Sequence, residues 1–519
     1  MFLFSGLPVI SKNVSRIHAL DKSEFNHRLR LHILVISGIS AKKIREYGDK
    51  YFNEAITVYD SITIKTLITS KRLCISRSYC VFKKNDEDFL AEKYINIAIT
   101  IFVHTKKTML MKLTVRNNHT AFAVLALLLN ACSGRNDATK SEAIGNQTPG
   151  EPVEMRKQDA GYQPAFAEQF RAPGVKTTTS YNYRIITDKL NRPWGIVALP
   201  DGNFLVTEKE GTMRTVTAEG KVSDKIAGIP EVVSDGQGGL LGLVTDPDFA
   251  ANRTVYWSFS EKRNDGSLTA VAKGSLSANG KTMDAVQVIY RATPAFSGGN
   301  HFGSRLVFDK NGHLYVTTGD RYEKERRMLV QEQNNGLGKI MRLSKDKKTA
   351  EVYSFGHRNV QGIAVHPETG DLWAAEFGPR GGDELNQIKQ GKNYGWPLIT
   401  YGIEYDGSKV GNAETQKEGM EQPVYFWDPV LSPSGMTFYS GKEIPEWKNN
   451  LFIGGLNSQH IARIVLKNNR VVGEERLLAD QQQRFRAVTE GTDGALYAIT
   501  DSGKLYRIGK QENSINKTD

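Results

Sequence analysis

Cysteine is nearly absent from this chain of 519 residues: Cys74, Cys80 and Cys132 are its three copies, and none follows position 132. A disulfide framework or a thiolate metal centre is therefore excluded from everything beyond that point. Long apolar runs are also missing. No stretch approaches the roughly 20 residues of an ordinary membrane-spanning helix, and the mean hydropathy is −0.42. The third shortage is less obvious, because the chain carries 68 Lys and Arg against 57 Asp and Glu, a net charge of +11. Residues 1–131 hold 20 of the basic and 10 of the acidic residues, which leaves 48 and 47 for the remainder. The main part of the chain is thus nearly neutral, which argues against a nucleic-acid partner.

The basic front end has its own pattern. From Met111 the sequence MKLTVRNNHTAFAVLALLLNAC gives Lys112 and Arg116, an apolar run from Ala121 to Leu129, and a small-residue ending at Ala131-Cys132. This is the layout of an export signal. Its Leu-Asn-Ala-Cys ending resembles a bacterial lipobox, which would make Cys132 a lipid-bearing first residue, and Ser133 after it points to the outer membrane. Residues 111–131 are then a signal peptide and translation is expected to start at Met109 or Met111, with residues 1–110 an upstream extension. Residues 132–160 are polar, without apolar periodicity, and read as a flexible tether.

Beyond the tether one theme recurs: an apolar run, a turn rich in Asp, Asn, Gly or Pro, and a second apolar run. Copies begin at Trp194, Leu241, Ser304, Gln361, Ser434 and Arg486, roughly 45 to 75 residues apart. That spacing suits one four-stranded antiparallel unit per copy, with Asp and Gly forming the hairpin tips. The expectation is an all-β fold, a six-bladed β-propeller of four-stranded antiparallel blades over residues 161–519.

In such a fold loops at one mouth of the channel carry the chemistry, and four polar clusters lie near the starts of repeats. Ser234–Gly239 contains Gln237 in a glycine-rich turn. Ser297–Gly303 sets His301 between glycines, where a neutral imidazole is a ready base. Gly356–Asn359 presents Arg358 for an anionic or carbonyl ligand, and is followed by Glu376–Glu384, whose Gly378-Pro379 carbonyls and carboxylates are oxygen donors suited to Ca²⁺. Gln483–Arg486 places Arg484 and Arg486 on one face of an extended segment.

These clusters, with the stretches GNHFGSRL, YSFGHRNVQGIA, EFGPRGGDELN, NYGWP and RFRAV, resemble the soluble quinoprotein glucose and aldose sugar dehydrogenase family, over about Leu190 to Ile508. The resemblance implies a sugar oxidoreductase using pyrroloquinoline quinone (PQQ) and Ca²⁺. In it His301 matches the base that takes the anomeric hydroxyl proton, Asp383 an acid supporting that histidine, and Arg358 and Asn359 contacts to the quinone edge. Gln237, Tyr405, Arg484 and Arg486 match contacts to the cofactor's body and carboxylates. The carbonyls of Gly378 and Pro379 match ligands of the cofactor's calcium, and Glu384 and Tyr394 a second, structural calcium. The implied partners are an aldose and an external electron acceptor, with the lipid on Cys132 holding the protein at the periplasmic side of a membrane.

Two positions depart from the family pattern. Asn457 stands where a cofactor-facing lysine is expected, and Asn300 where the glucose enzymes carry an aspartate beside the base. Two other functions compete: a binding module that has kept the propeller without the cofactor, which Asn457 favours, and a calcium-dependent sugar lactonase. The latter needs several carboxylates converging on one metal, whereas arginines dominate these loops.

Overall fold

The computed structural model describes residues 150–511, together with three strands, Leu73–Val81, Ile95–Val103 and Lys107–Val115, which pair antiparallel in that order. The last of these spans Met109 and Met111, and Cys132 with the rest of the expected signal lies outside the described residues. Contacts divide the chain into two units, Met1–Ser141 and Glu142–Asp519.

The second unit is the six-bladed propeller. Its innermost strands are Pro193–Ala198, Leu240–Thr245, Leu306–Phe308, Val360–Val365, Pro433–Phe438 and Phe485–Glu490. They start blades 1 to 6, and each packs on the innermost strand of the next, the sixth on the first. Blades 2, 4, 5 and 6 have the expected four strands; blade 1 has three, and blade 3 gains a fifth, Lys392–Asn393, parallel to Ala350–Phe355. Blade 6 closes the ring, since its outer strand, Tyr181–Thr187, comes from the start of the domain and pairs with Leu505–Lys510 from its end.

The repeat works because of what its strands bring together. Gly195, Gly242, Gly362 and Gly435 occupy one register of their innermost strands, and a Cβ on Gly242 would lie 2.2 Å from Ser304 O, one on Gly362 2.6 Å from Ser434 O. Glycine there lets the next blade close in. In blade 3 the same register holds Arg305, whose buried guanidinium donates to Gln361 O at 2.8 Å, Trp194 O at 3.3 Å and Arg486 O at 2.6 Å, so one side chain ties blade 3 to blades 4, 1 and 6. Apolar clusters fill the spaces between blades, as where Trp373 and Leu385 of blade 4 meet Met436 and Ile453 of blade 5.

The packed domain begins earlier than the sequence suggests. Residues 150–160, expected to belong to the tether, lie across blades 4 and 5. The buried carboxylate of Asp428 accepts the backbone N–H of Asp159, Ala160 and Gly161 at 2.6, 3.0 and 3.1 Å, and Glu154 receives Arg156 and Arg476. A polar segment without periodicity is ordered here because the buried Asp428 satisfies its backbone at one end and Arg476 of blade 5 holds its own Glu154 at the other.

Candidate active site

His301 sits on the loop that leads into blade 3. Its φ is +53°, and the glycines at 298 and 303 (φ +97° and +62°) let the loop curl so that the imidazole turns inward; the residue is 4% exposed. Nδ1 lies 2.6 Å from Oδ1 of Asp320, which is fully buried just beyond the end of the second strand of blade 3. The same oxygen accepts Tyr322 N–H at 2.8 Å, and Oδ2 accepts Trp396 Nε1–H at 2.8 Å. Burial pushes the Asp320 carboxyl up, but His301 and Arg358 outweigh it and hold the group below its ordinary value. Asp320 is therefore an anion, His301 carries its hydrogen on Nδ1, and Nε2 is left as the acceptor. Burial, then the charge of Arg358, lowers the imidazole pKa, which keeps it neutral.

This corrects the role expected for Asp383. Its carboxylate accepts the N–H of Gly378 at 2.8 Å and of Ser432 at 2.6 Å, and it orients the Gly378 loop and blade 5 rather than the histidine. Burial raises its pKa to about 7 in spite of those bonds.

The turn before blade 4 is built on another acid. Glu376, at the end of that blade's second strand, accepts His357 Nδ1 at 2.8 Å and the backbone N–H of Arg358 at 2.7 Å. His357 Nε2 meets Ser354 Oγ at 2.8 Å, and its ring stacks on Tyr394 at 4.8 Å, so the histidine is consumed in support. Arg358 is thereby aimed into the site: Nη1 donates to Gly378 O at 2.6 Å and Phe377 O at 3.2 Å, the guanidinium lies 5.3 Å from the centre of the Trp396 ring, and Nη2 is 3.5 Å from Tyr405 Oη. Its Nε is buried without a partner among the described residues. Asn359 Oδ1 accepts Gly303 N–H at 3.0 Å and Gln237 Oε1 accepts His301 N–H at 3.1 Å, which fastens three of the four predicted clusters together. Tyr405 is 57% exposed on the rim.

The fourth cluster has a partner that the sequence pattern did not single out. Asp501 takes Arg484 Nε at 2.9 Å and Arg486 Nε and Nη2 at 2.8 and 3.0 Å, so one carboxylate is shared by two guanidiniums and a positive charge is left over. Arg486 Nη1 also donates to Gln361 Oε1 at 3.1 Å, two residues beyond Asn359. Asn457 is exposed at the start of the turn after Leu451–Gly455 in blade 5.

The expected metal ligands divide. Gly378 O is already engaged by Arg358, a cation of the chain itself, so the Gly378-Pro379 pair alone does not make a calcium site. Tyr394 likewise has its hydroxyl in use, donating to Gln387 O at 2.6 Å and accepting Lys389 N–H at 2.9 Å. Glu384 is different. Burial, then the neighbouring Glu376, holds its carboxyl well above the usual range. Asn386 donates to both acids, at 3.1 and 3.2 Å, and its Oδ1 is buried without a partner among the described residues. The Glu384 carboxyl and the Asn386 amide oxygen are hard oxygen donors of the kind Ca²⁺ takes.

Asp320, Glu376 and Asp501 share one signal in the repeat: each stands at or just beyond the end of the second strand of its blade and holds a residue just before or at the start of that blade's first strand. Glu208 does the same in blade 1, accepting Asn191 N–H at 2.7 Å.

A family model described as glucose/sorbosone dehydrogenase matches residues 190–507. The aldose sugar dehydrogenase YliI of Escherichia coli is 39% identical over 345 residues, 63% of this chain and 92% of that protein. The crystal structure of the soluble aldose sugar dehydrogenase of Escherichia coli in its apo form is 38% identical with a TM-score of 0.62, covering 64% of this chain and all of that one. A PQQ-bound aldose sugar dehydrogenase from Streptomyces coelicolor is 27% identical with a TM-score of 0.54, over 64% of this chain and 99% of that one. The chain belongs to the glucose/sorbosone dehydrogenase family.

Proposed function

We propose that this domain is an oxidoreductase that oxidises aldoses at the anomeric C1 hydroxyl to the lactone, with PQQ as its resident cofactor and an external acceptor taking the electrons. The observation that carries the reading is the Asp320–His301 pair beside Arg358. An ionised, buried acid fixes the imidazole tautomer, and Nε2 is the lone pair that can take the O1 proton of a sugar. As that proton arrives, Asp320 at 2.6 Å stabilises the imidazolium.

The residues present suit a planar tricarboxylate. Arg358, whose buried Nε has no partner among the described residues, and the Arg484–Arg486 pair, with one carboxylate between them, supply fixed positive charge. PQQ, when bound, supplies the two-electron, hydride-accepting carbonyl carbon. Arg358 would hold its oxygen edge, Asn359 would line that edge, and Arg484 and Arg486 would hold carboxylates. At the second position Glu384 and Asn386 would hold a calcium ion in a structural role. Binding without catalysis remains the second reading, because Asn457 brings no charge to a position where the family pattern has a lysine. Export and lipid attachment at Cys132 belong to the same proposal and are tested by metabolic labelling with a fatty acid and by fractionation.

The test uses the purified chain, dialysed against chelator and then given Ca²⁺ and PQQ, with reduction of an artificial dye followed on addition of aldoses. Sugar-dependent reduction that is lost in His301→Ala supports the dehydrogenase. No reduction with any aldose, together with no spectral change of PQQ on mixing, would move the balance to the binding module.

A further inference from the structure

Two consecutive residues beside the base, Arg321 and Tyr322, have φ of +62° and +75°. Glycine is the residue that adopts this region without a steric penalty, and a side chain kept there needs a reason. For Arg321 the reason is visible. Its guanidinium donates to Asn300 O at 3.0 Å, to Ser267 O at 2.6 Å and to Gly298 O, and lies 4.0 Å from the centre of the Phe302 ring, so it clamps the loop that bears His301. Tyr322 has no such use. Its backbone N–H is fixed by Asp320 Oδ1 at 2.8 Å, the oxygen that also orients the base, and its ring stands edge-on to the imidazole at 5.1 Å and 88°. Yet the residue is only half buried, it belongs to none of the apolar clusters between the blades, and its hydroxyl has no hydrogen-bond partner among the described residues.

An aromatic ring with a free hydroxyl, held in a costly backbone conformation next to a base, is suited to a pyranose: the ring covers sugar C–H groups and the phenol reaches a hydroxyl. On the reading of the site given above, we infer that Tyr322 is a substrate-contacting residue that lies against the aldose beside His301 and helps to choose among sugars. The positive-φ backbone at 321–322 is what places its ring there.

The test compares wild type with Tyr322→Gly and Tyr322→Phe, in the full chain loaded with PQQ and Ca²⁺, using D-glucose, D-galactose and maltose. Dye reduction gives kcat and KM, saturation-transfer NMR reports sugar binding directly, and thermal unfolding reports stability. Glycine relieves the backbone, so Tyr322→Gly is expected to unfold no earlier than wild type, while KM for at least one sugar rises about tenfold and its saturation transfer weakens. Tyr322→Phe is expected to lose affinity only for sugars whose hydroxyl meets the phenol. KM within twofold of wild type for all three sugars in Tyr322→Gly, with undiminished saturation transfer or a lowered melting temperature, assigns the side chain to structure and overturns the inference. Wild type that neither oxidises nor binds any of the sugars fails the dehydrogenase reading itself, and Tyr322 falls with it.

Discussion

Replacing Asp320 by Asn removes one charge from the centre of the site while keeping its shape. The carboxylate serves three donors: His301 Nδ1–H at 2.6 Å and Tyr322 N–H at 2.8 Å on Oδ1, and Trp396 Nε1–H at 2.8 Å on Oδ2. An amide has one oxygen. If that oxygen faces His301 and Tyr322, the new NH₂ confronts the indole N–H; if it faces the indole, NH₂ confronts Tyr322 N–H and donates to Nδ1, which moves the histidine's hydrogen to Nε2. Each arrangement leaves one buried donor without a partner, a cost of about 1–3 kcal/mol, which at about 2 °C per kcal/mol for a domain of this size lowers the melting temperature by roughly 2–6 °C.

Activity suffers more than stability. In the first arrangement the imidazolium forms with no anion behind it, and in the second Nε2 is not a base at all. A fall in kcat on the order of 10² to 10⁴ is expected. The pH profile separates this from simple damage. Asp320 is what raises the His301 pKa against burial and Arg358, so without it the pKa falls further, and the acid limb of kcat/KM moves to lower pH while its plateau drops. A plateau within threefold of wild type, or a limb that moves upward, would refute the pairing. Asp383→Asn is the control: it is expected to weaken the Gly378 and Ser432 contacts, lower the melting temperature and leave the acid limb in place.

Arg358→Ala removes the charge that, after burial, most depresses the His301 pKa, so the acid limb of kcat/KM is expected to shift to higher pH, the direction opposite to Asp320→Asn; an unmoved limb would contradict the electrostatic coupling. His460 is buried with Nδ1 on Ser458 O at 3.0 Å, and burial, then Arg476, lowers its pKa to about 3. Because the folded value lies below the unfolded one, stability from the neutral imidazole is present above about pH 6.5 and is lost as the pH falls toward 3; between pH 7 and 5 the loss is about 2 kcal/mol. Urea unfolding at those two pH values should show about that much less acid sensitivity in His460→Gln, and equal sensitivity in both proteins would be the contrary result. For the position at Glu384, chelator is expected to lower the melting temperature of wild type and leave that of Glu384→Gln unchanged; a wild type indifferent to chelator and to added Ca²⁺ would remove calcium from this position.

The fold was legible because a propeller repeats itself. Six copies of one hairpin pattern are a property of the sequence, and glycine at a shared register reports the close approach of neighbouring blades. What stayed hidden depends on distant partners. Residues 150–160 look like a linker, and nothing in them announces that Asp428, more than 260 residues away, collects three N–H groups from 159 to 161. For the proposed calcium position the sequence offers Glu384 as a candidate, while Asn386 is marked only by an amide oxygen that has no partner among the described residues.

Asp320 and Asp383 differ in what points to them. Family likeness supplied an acid for the histidine, and Asp383 stood in a motif rich enough to attract that role. The repeat register supplies a better rule. Glu208, Asp320, Glu376 and Asp501 each stand at or just beyond the end of the second strand of a blade, and each binds a residue just before or at the start of that blade's first strand: Asn191, His301, the His357–Arg358 turn, and the Arg484–Arg486 pair. The two segments are neighbours because adjacent antiparallel strands bring one strand's end beside the other's beginning, so the pairing is dictated by topology once the repeat is recognised. Asp383 begins a third strand and is one strand too far from the segment ahead of its blade. The repeat and this rule together are enough to give His301 its acid and the two arginines their shared one. By the same rule the anchored cations at the mouth come from blades 4 and 6, as Arg358 and the Arg484–Arg486 pair, while in blade 5 the uncharged Asn457 lies near the corresponding position.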